Sequence, residues 1–509
     1  MLRLALAAVS GTLYFLGFAG FDLWPLSFVA LVPMLWALDP AHEKRAPSRR
    51  MLFATGATLG LFVHIGGYYW MVETLERFSG FPWLICVLIA LMLWLFQGLM
   101  LALFAGLYRF ARQHGVSNLL AASAAMCLAE WIYPRLFDHY FGASLHAQPT
   151  LLQVADVGGP LLLTGLLTAA NVAVYELSLS YRDRHAPVRT VAIALAVWAL
   201  TVGYGLYRID EVERRVESAP TLGMGLVQAD MGLFQKRDDP EVGLMRHLEQ
   251  SEELEREHGK DLDLLVWPES AFAWYLPEKK TNVRDVVLRN RISTATLFGG
   301  LAVRQVGGKQ RPFNTAFLTN AKGVIQGSYD KTYLLTFSEY IPLGEEFPVL
   351  YDWSPNSGQF VPGQRLDPVR FGPYRLSVLI CYEDILPSFV RRMVRHANPH
   401  VLINLTNDAW FGDTHAPWEH LALAKLRAVE HHRALVRSTN SGVTAVVDPT
   451  GRLVAKSGLF TRENIFARIP MMTGASAYQT LGDFPGPLAL LLFVGLWLRG
   501  RRRRQAASA

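Results

Sequence analysis

The stretch Leu376-Ser377-Val378-Leu379-Ile380-Cys381-Tyr382-Glu383-Asp384 carries an uncharged, largely apolar run straight into a cysteine and then into two acids. A short apolar run bounded by polar residues reads as a buried strand. Side chains at strand ends are well placed to form a site. A free thiol titrates at about 8.5, so it is mostly protonated at neutral pH, whereas the nucleophile is the thiolate. An acidic neighbour able to take the proton is therefore the partner to look for.

Working outward from this run, similar strand-like segments occur at Leu264–Trp267, Leu297–Val303 and Val401–Leu405. Helical patterns cover Val390–His396 and Trp418–His432, and Phe313–Ser328 reads as a hairpin turning at Asn320–Gly323. Strands alternating with helices predict an α/β sandwich.

Two further motifs carry chemistry. In Val266-Trp267-Pro268-Glu269-Ser270 a strand ends at a proline and a carboxylate follows. Tyr329-Asp330-Lys331 is followed by Phe337-Ser338-Glu339-Tyr340-Ile341-Pro342. A carboxylate that accepts the thiol proton and a lysine that holds an oxyanion would complete a nucleophilic site on Cys381. A helix starting just after Cys381 would add N–H donors. Taken singly, each residue has a plainer reading. Cys381 would be a small core residue, Glu269 a helix cap, Lys331 a solvated side chain, and Glu383 with Asp384 a charged turn.

The rest of the 509-residue chain has a different composition: 51% of all residues are hydrophobic and only 18% charged, with the apolar ones concentrated in about the first 208 and near the C-terminus. A membrane-crossing helix needs roughly 20 mostly apolar residues. Candidate runs lie near 4–20, 22–38, 51–71, 82–107, 117–135, 157–179, 189–208 and 478–498. The first is read as uncleaved because more spans follow it. Basic clusters sit beside these runs: Lys44, Arg45, Arg49 and Arg50; Arg109 and Arg112; Arg182, Arg184 and Arg189; Arg499 and Arg501 to Arg504. The opposite short loops carry chiefly Arg77 and Arg135. Lys and Arg accumulate in cytoplasmic loops. The pattern therefore predicts cytoplasmic termini and places 209–477 on the outer face of the membrane. The net charge of +6 is explained by these clusters, and no nucleic-acid motif accompanies them. The expected organisation is a membrane domain with seven transmembrane helices over 1–208, an outer domain over 209–477, and a last helix with a basic cytoplasmic tail over 478–509.

Of the three cysteines, Cys86 and Cys127 lie in apolar runs, so the outer domain holds only Cys381 and closes no internal disulfide. His431 and His432 are adjacent, His415 and His420 lack a third ligand at a familiar spacing, and no His-Glu-x-x-His occurs. No metal is expected, and no cofactor.

The outer domain resembles the carbon–nitrogen hydrolase (nitrilase) superfamily, whose sites use Glu, Lys and Cys in that chain order. Over its whole length the chain resembles the apolipoprotein N-acyltransferase family. The motifs named above carry the resemblance, with Asn404-Leu405-Thr406-Asn407-Asp408-Ala409-Trp410-Phe411-Gly412-Asp413, Pro417-Trp418 and Arg437-Ser438-Thr439-Asn440-Ser441-Gly442-Val443-Thr444. It implies a multi-span α-helical membrane domain joined to a nitrilase-like αββα sandwich. It makes Glu269 the general base, Lys331 the oxyanion stabiliser and Cys381 the nucleophile. Glu339 would orient Lys331, and Tyr382 and Glu383 would support the pocket. The activity implied is N-acylation of the diacylglyceryl-cysteine that begins an apolipoprotein, with a phospholipid as acyl donor and a Cys thioester between the two halves. The location implied is the inner membrane, multi-pass, with the catalytic domain in the periplasm. The sequence departs from the family pattern at Val227-Gln228-Ala229-Asp230-Met231, at Arg237 after Lys236, and at Leu343-Gly344-Glu345-Glu346. A membrane-tethered nitrilase-type amidase acting on a small amide shares the triad but needs no such array of spans. A transporter would show charged or broken helices at mid-membrane, and of such residues His64 stands out.

Overall fold

A computed structural model of the chain describes residues 1–39, 48–183, 187–232, 238–354 and 357–508. Lys44, Arg45, Arg184, Lys236 and Arg237, singled out above, lie outside the described residues. The chain forms two compact units, one of 1–72, 82–210 and 476–509, the other of 73–81 and 211–475.

The first unit is helical. Among the described residues, Trp83–Gln113, Ala155–Ser180 and Val188–Ser218 are long and apolar enough to cross a membrane, and the pair Arg49–Gly67 and Met71–Ser79 adds a fourth if counted as one span. Leu2–Phe15, Trp24–Leu38 and Asn118–Ile132 are shorter apolar helices. Gly60 and Gly98 let helices Arg49–Gly67 and Trp83–Gln113 pack backbone to backbone, since a Cβ on Gly60 would stand 2.0 Å from the Gly98 carbonyl oxygen. Small residues at such crossings are how helices pack in lipid, where no hydrophobic force drives them together. Helix Ala155–Asp183 is kinked at Gly158 and Gly159.

The second unit holds thirteen named strands: β1 Thr221–Gln228, β2 Leu264–Val266, β3 Phe272–Pro277, β4 Ala295–Val306, β5 Lys309–Thr319, β6 Ile325–Asp330, β7 Val369–Phe371, β8 Tyr374–Ile380, β9 Val401–Thr406, β10 Leu435–Thr439, β11 Ala445–Val447, β12 Leu453–Lys456 and β13 Glu463–Pro470. One sheet runs β13-β1-β2-β4-β5-β6, with β3 beside β4, and the other runs β12-β11-β10-β9-β8-β7. Strands β1, β2 and β4 are parallel, as are β8, β9 and β10.

Alternation along each strand sorts the first sheet's side chains between two cores. Leu226, Val266, Leu297 and Leu318 join Val378, Leu402 and Val436 of the second sheet in one buried cluster. Their chain neighbours Val227, Leu265, Phe298 and Phe317 join Leu244 and Leu248 of helix Pro240–His258 in another. Helices Pro387–Ala397 and Ala416–His431 add Phe389, Val390, Leu421 and Ala424 to the first cluster. The layers are therefore helix, sheet, sheet, helix, an αββα sandwich. The strand-like runs and both helical patterns read from the sequence are these elements, and the expected hairpin is β5–β6. Its turn is held by Asn320 Oδ1, which accepts from the N–H groups of Lys322 and Val324.

Candidate active site

Three chain segments leaving strands bring the site together. Glu269 lies in the turn between β2 and β3, Lys331 directly follows β6, and Cys381 directly follows β8. Glu269 caps no helix, since strand β3 follows its turn. Its backbone is clamped by β4: Trp267 N–H donates to the Leu297 carbonyl at 2.8 Å and Gly299 N–H to that of Pro268 at 3.2 Å.

Lys331 is not a solvated surface residue but 2% exposed. Its Nζ stands 2.8 Å from Glu339 Oε2 and 3.5 Å from Glu269 Oε1. Burial by itself would lower its pKa. The Glu339 and Glu269 carboxylates, with Cys381 after them, outweigh burial and hold it well above the ordinary lysine value. The two carboxylates thus favour the charged form of the lysine. Asn314 on β5 donates its Nδ2 to both carboxylates, at 2.7 Å to Glu269 Oε1 and 2.9 Å to Glu339 Oε1. Leu335 N–H donates to Glu339 Oε2 at 2.8 Å. The sequence pointed to no role for Asn314; its one signal is an amide side chain among the apolar and hydroxyl residues of the buried stretch Phe313 to Thr319.

Cys381 is half-buried and has φ of 53°, in the left-handed region. For a residue with a Cβ that conformation costs roughly 1–3 kcal/mol and persists only where its surroundings enforce it. Burial first, then the Glu269 carboxylate, push its thiol up, and the nearby Lys331 pulls it down without reversing the result. These influences together favour the thiol, which lies within electrostatic reach of the Glu269, Asp408 and Glu339 carboxylates and of the Lys331 ammonium group. The helix expected after it is a single 3-10 turn, Cys381–Ile385, and the longer helix begins only at Pro387. A turn this short has little dipole to offer.

Tyr382 follows in that turn, half-buried. Glu383 and Asp384 are fully buried, which overturns their reading as a charged surface turn. Glu383 Oε1 accepts from Thr332 N–H at 2.7 Å, Tyr333 N–H at 3.0 Å and the Tyr329 hydroxyl at 2.9 Å, while Oε2 accepts from Ile380 N–H at 2.8 Å. One side chain so ties the residues around Lys331 to the residue before Cys381. Burial pushes its carboxyl up to about 7, against the pull of the backbone donors. Among the described residues no three His, Cys, Asp or Glu side chains are grouped to hold a metal ion. His415 lies 3.4 Å from Glu419, and His420 lies between Asp384 and Asp408.

Comparison with known proteins adds the following. The carbon-nitrogen hydrolase family profile matches residues 224–479, and that of the apolipoprotein N-acyltransferase N-terminal domain matches 10–173. The chain is 28% identical to the apolipoprotein N-acyltransferase of Geobacter metallireducens, over 94% of this chain and 91% of that one. It is 29% identical to the protein of the same name from Brucella melitensis, over 98% and 97%. A solved amidase from Nesterenkonia aligns with 50% of this chain and 91% of its own, at 21% identity and a TM-score of 0.35.

Proposed function

This chain belongs to the carbon–nitrogen hydrolase family, and we propose on that premise that its Glu–Lys–Cys cluster runs acyl transfer rather than amide hydrolysis. It is a membrane-associated acyltransferase that N-acylates apolipoproteins. The acceptor is the α-amino group of an N-terminal diacylglyceryl-cysteine, and the donor is a phospholipid. The observation that carries the mechanism is the placement of a buried lysine between two carboxylates, with the Cys381 thiol within their electrostatic reach.

In the proposed path Glu269 takes the Cys381 proton as the sulfur attacks the ester carbonyl. Lys331 holds the oxyanion, which is worth most where water is excluded. The lysophospholipid leaves with the proton returned by Glu269. The lipoprotein's amine then binds, gives a proton to Glu269 and attacks the thioester; the C–S bond breaks, Cys381 leaves as the thiolate and takes the proton back from Glu269, and an amide remains. Glu339 and Asn314 keep the ammonium and the base carboxylate in register. Dividing one hard step in two gives ping-pong kinetics.

On the same proposal the protein is a multi-pass chain of the inner membrane with residues 209–477 in the periplasm. The array of apolar helices supports the membrane location, which an enzyme acting on acyl chains needs and a small-amide hydrolase does not; the basic clusters in the sequence support the orientation. The deciding experiment is mass spectrometry of purified protein incubated with phospholipid alone. An acyl group on Cys381, released by hydroxylamine and transferred to an added diacylated lipopeptide, is expected. Product formed only in the complete mixture, with neither acyl-enzyme nor lysophospholipid beforehand, would mean direct transfer.

A further inference from the structure

Behind the nucleophile lies a buried polar cluster that the path above does not use. In the parallel ladder β8-β9-β10, Leu379 is registered with Asn404, and Asn404 with Arg437. Asn404 and Arg437 are fully buried. The Asn404 Nδ2 donates to the Cys381 carbonyl at 3.1 Å and to that of Leu379 at 3.5 Å. Its Oδ1 accepts from Arg437 Nη1 at 2.8 Å. Arg437 Nη1 also donates to Asp384 Oδ2 at 2.7 Å, and its Nη2 to Asp408 Oδ2 at 2.8 Å. His420 closes the ring, with Nε2 2.8 Å from Asp384 and Nδ1 3.0 Å from Asp408.

The order of these contacts has a direction. An amide side chain can rotate and present oxygen or nitrogen to either side. Arg437 has only donors, so the atom facing it must be the Asn404 oxygen. That leaves the Asn404 nitrogen facing the Cys381 carbonyl, which can only accept. Two buried aspartates fix the guanidinium in turn, in paired charge-assisted bonds that resist rotation. The chain ends on the one peptide whose left-handed conformation aims the thiol.

We propose that Asn404, oriented by Arg437, is a positioning residue that pins the Cys381 carbonyl and so holds the nucleophile at its attack angle. The inference rests on Cys381 being the acylated residue. Asn404→Asp tests it: the isostere can still accept from Arg437 but cannot donate to a carbonyl. The readout is the rate of acyl-enzyme formation from phospholipid in the full-length protein, with wild type and Cys381→Ser run beside it. Misplacing a reacting group by about 1 Å can cost a hundredfold, so acylation is expected to fall about a hundredfold. KM for phospholipid should stay within about threefold of wild type, because substrate binding is not what is lost. Asn404→Ser, which retains a hydroxyl donor, should recover part of the rate, which a merely space-filling role would not give. Acylation of Asn404→Asp within about threefold of wild type overturns the proposal. So does loss of the folded protein in both variants, since the pair would then serve the sheet's stability and not the nucleophile. If wild type itself carries no acyl group on Cys381, the reading of the nucleophile fails, a different result from either.

Discussion

On the proposed path, removing Lys331 withdraws an oxyanion donor; it also leaves Glu269 and Glu339 without their shared cation. One lost donor typically lowers turnover about a hundredfold to a thousandfold. Breaking a buried ion pair from one side destabilises by roughly 3–5 kcal/mol. Lys331→Met is therefore expected to lose both activity and melting temperature, measured by lysophospholipid release and thermal unfolding. Near-normal turnover in that variant would remove the lysine from the mechanism. His420 offers a test through pH. Burial alone would lower its pKa and Arg437 adds to that, but Asp384 and Asp408 raise it to about 8. A group whose folded pKa is raised stabilises the protein fully below its unfolded value of about 6.5 and stops doing so as pH rises through the folded value. Wild type should thus lose stability relative to His420→Gln between pH 6.5 and somewhat above 8, in thermal melts across that window. Parallel curves for the two proteins would mean His420 is neutral throughout.

At the scale of elements, the register of β4 against the Glu269 turn makes a sharp prediction. A Cβ on Gly299 would lie 2.5 Å from the Pro268 oxygen, 2.6 Å from Ser270 N and 2.7 Å from Glu269 Cα, all backbone atoms that no rotamer change can move aside. On the adjacent Gly300 its contacts would be an ordinary 3.5 Å. Gly299→Ala is expected to slow turnover by tenfold or more, on the order of what small misplacements cost, with Gly300→Ala close to wild type in the same assay. Equal rates would show that the Glu269 backbone has room to shift. The strands that the sequence made legible are those with long apolar runs, such as β8 and β9, together with the hairpin β5–β6, whose turn chemistry is written in Asn320 and Gly323. Less legible were β11 and β12, too short to show a period, and β1, whose glycines dilute its apolar pattern. Gly223 is needed there because a Cβ would fall 1.7 Å from the Asp261 carbonyl oxygen. Within the site, strand ends and acidic neighbours were visible, whereas Asn314 and the Asn404–Arg437 pair become partners only when strands distant in sequence are placed side by side.

For the whole molecule, the alternation of basic clusters predicts a topology that reporters can check. Helix Val188–Ser218 is 31 residues long and passes the test for a membrane span. Fusions after Arg189 and after Arg237 flank most of it and should report opposite compartments, cytoplasm first. Matching reports from both would sink the orientation and the periplasmic placement with it, while leaving the chemistry of the cluster untouched.

The buried ion pair of Lys331 and Glu269 close to Cys381 has a consequence for anyone seeking to block this protein. Warheads such as haloacetamides react at the sulfur without building negative charge on an oxygen, so they draw nothing from Lys331. An electrophile built around a carbonyl or nitrile brings its own developing negative charge to Lys331 and hands the sulfur's proton to Glu269 in the same event. Selectivity over ordinary surface cysteines would then follow from the neighbours of the sulfur, because the compound would be activated only where a base and a buried cation already stand close by.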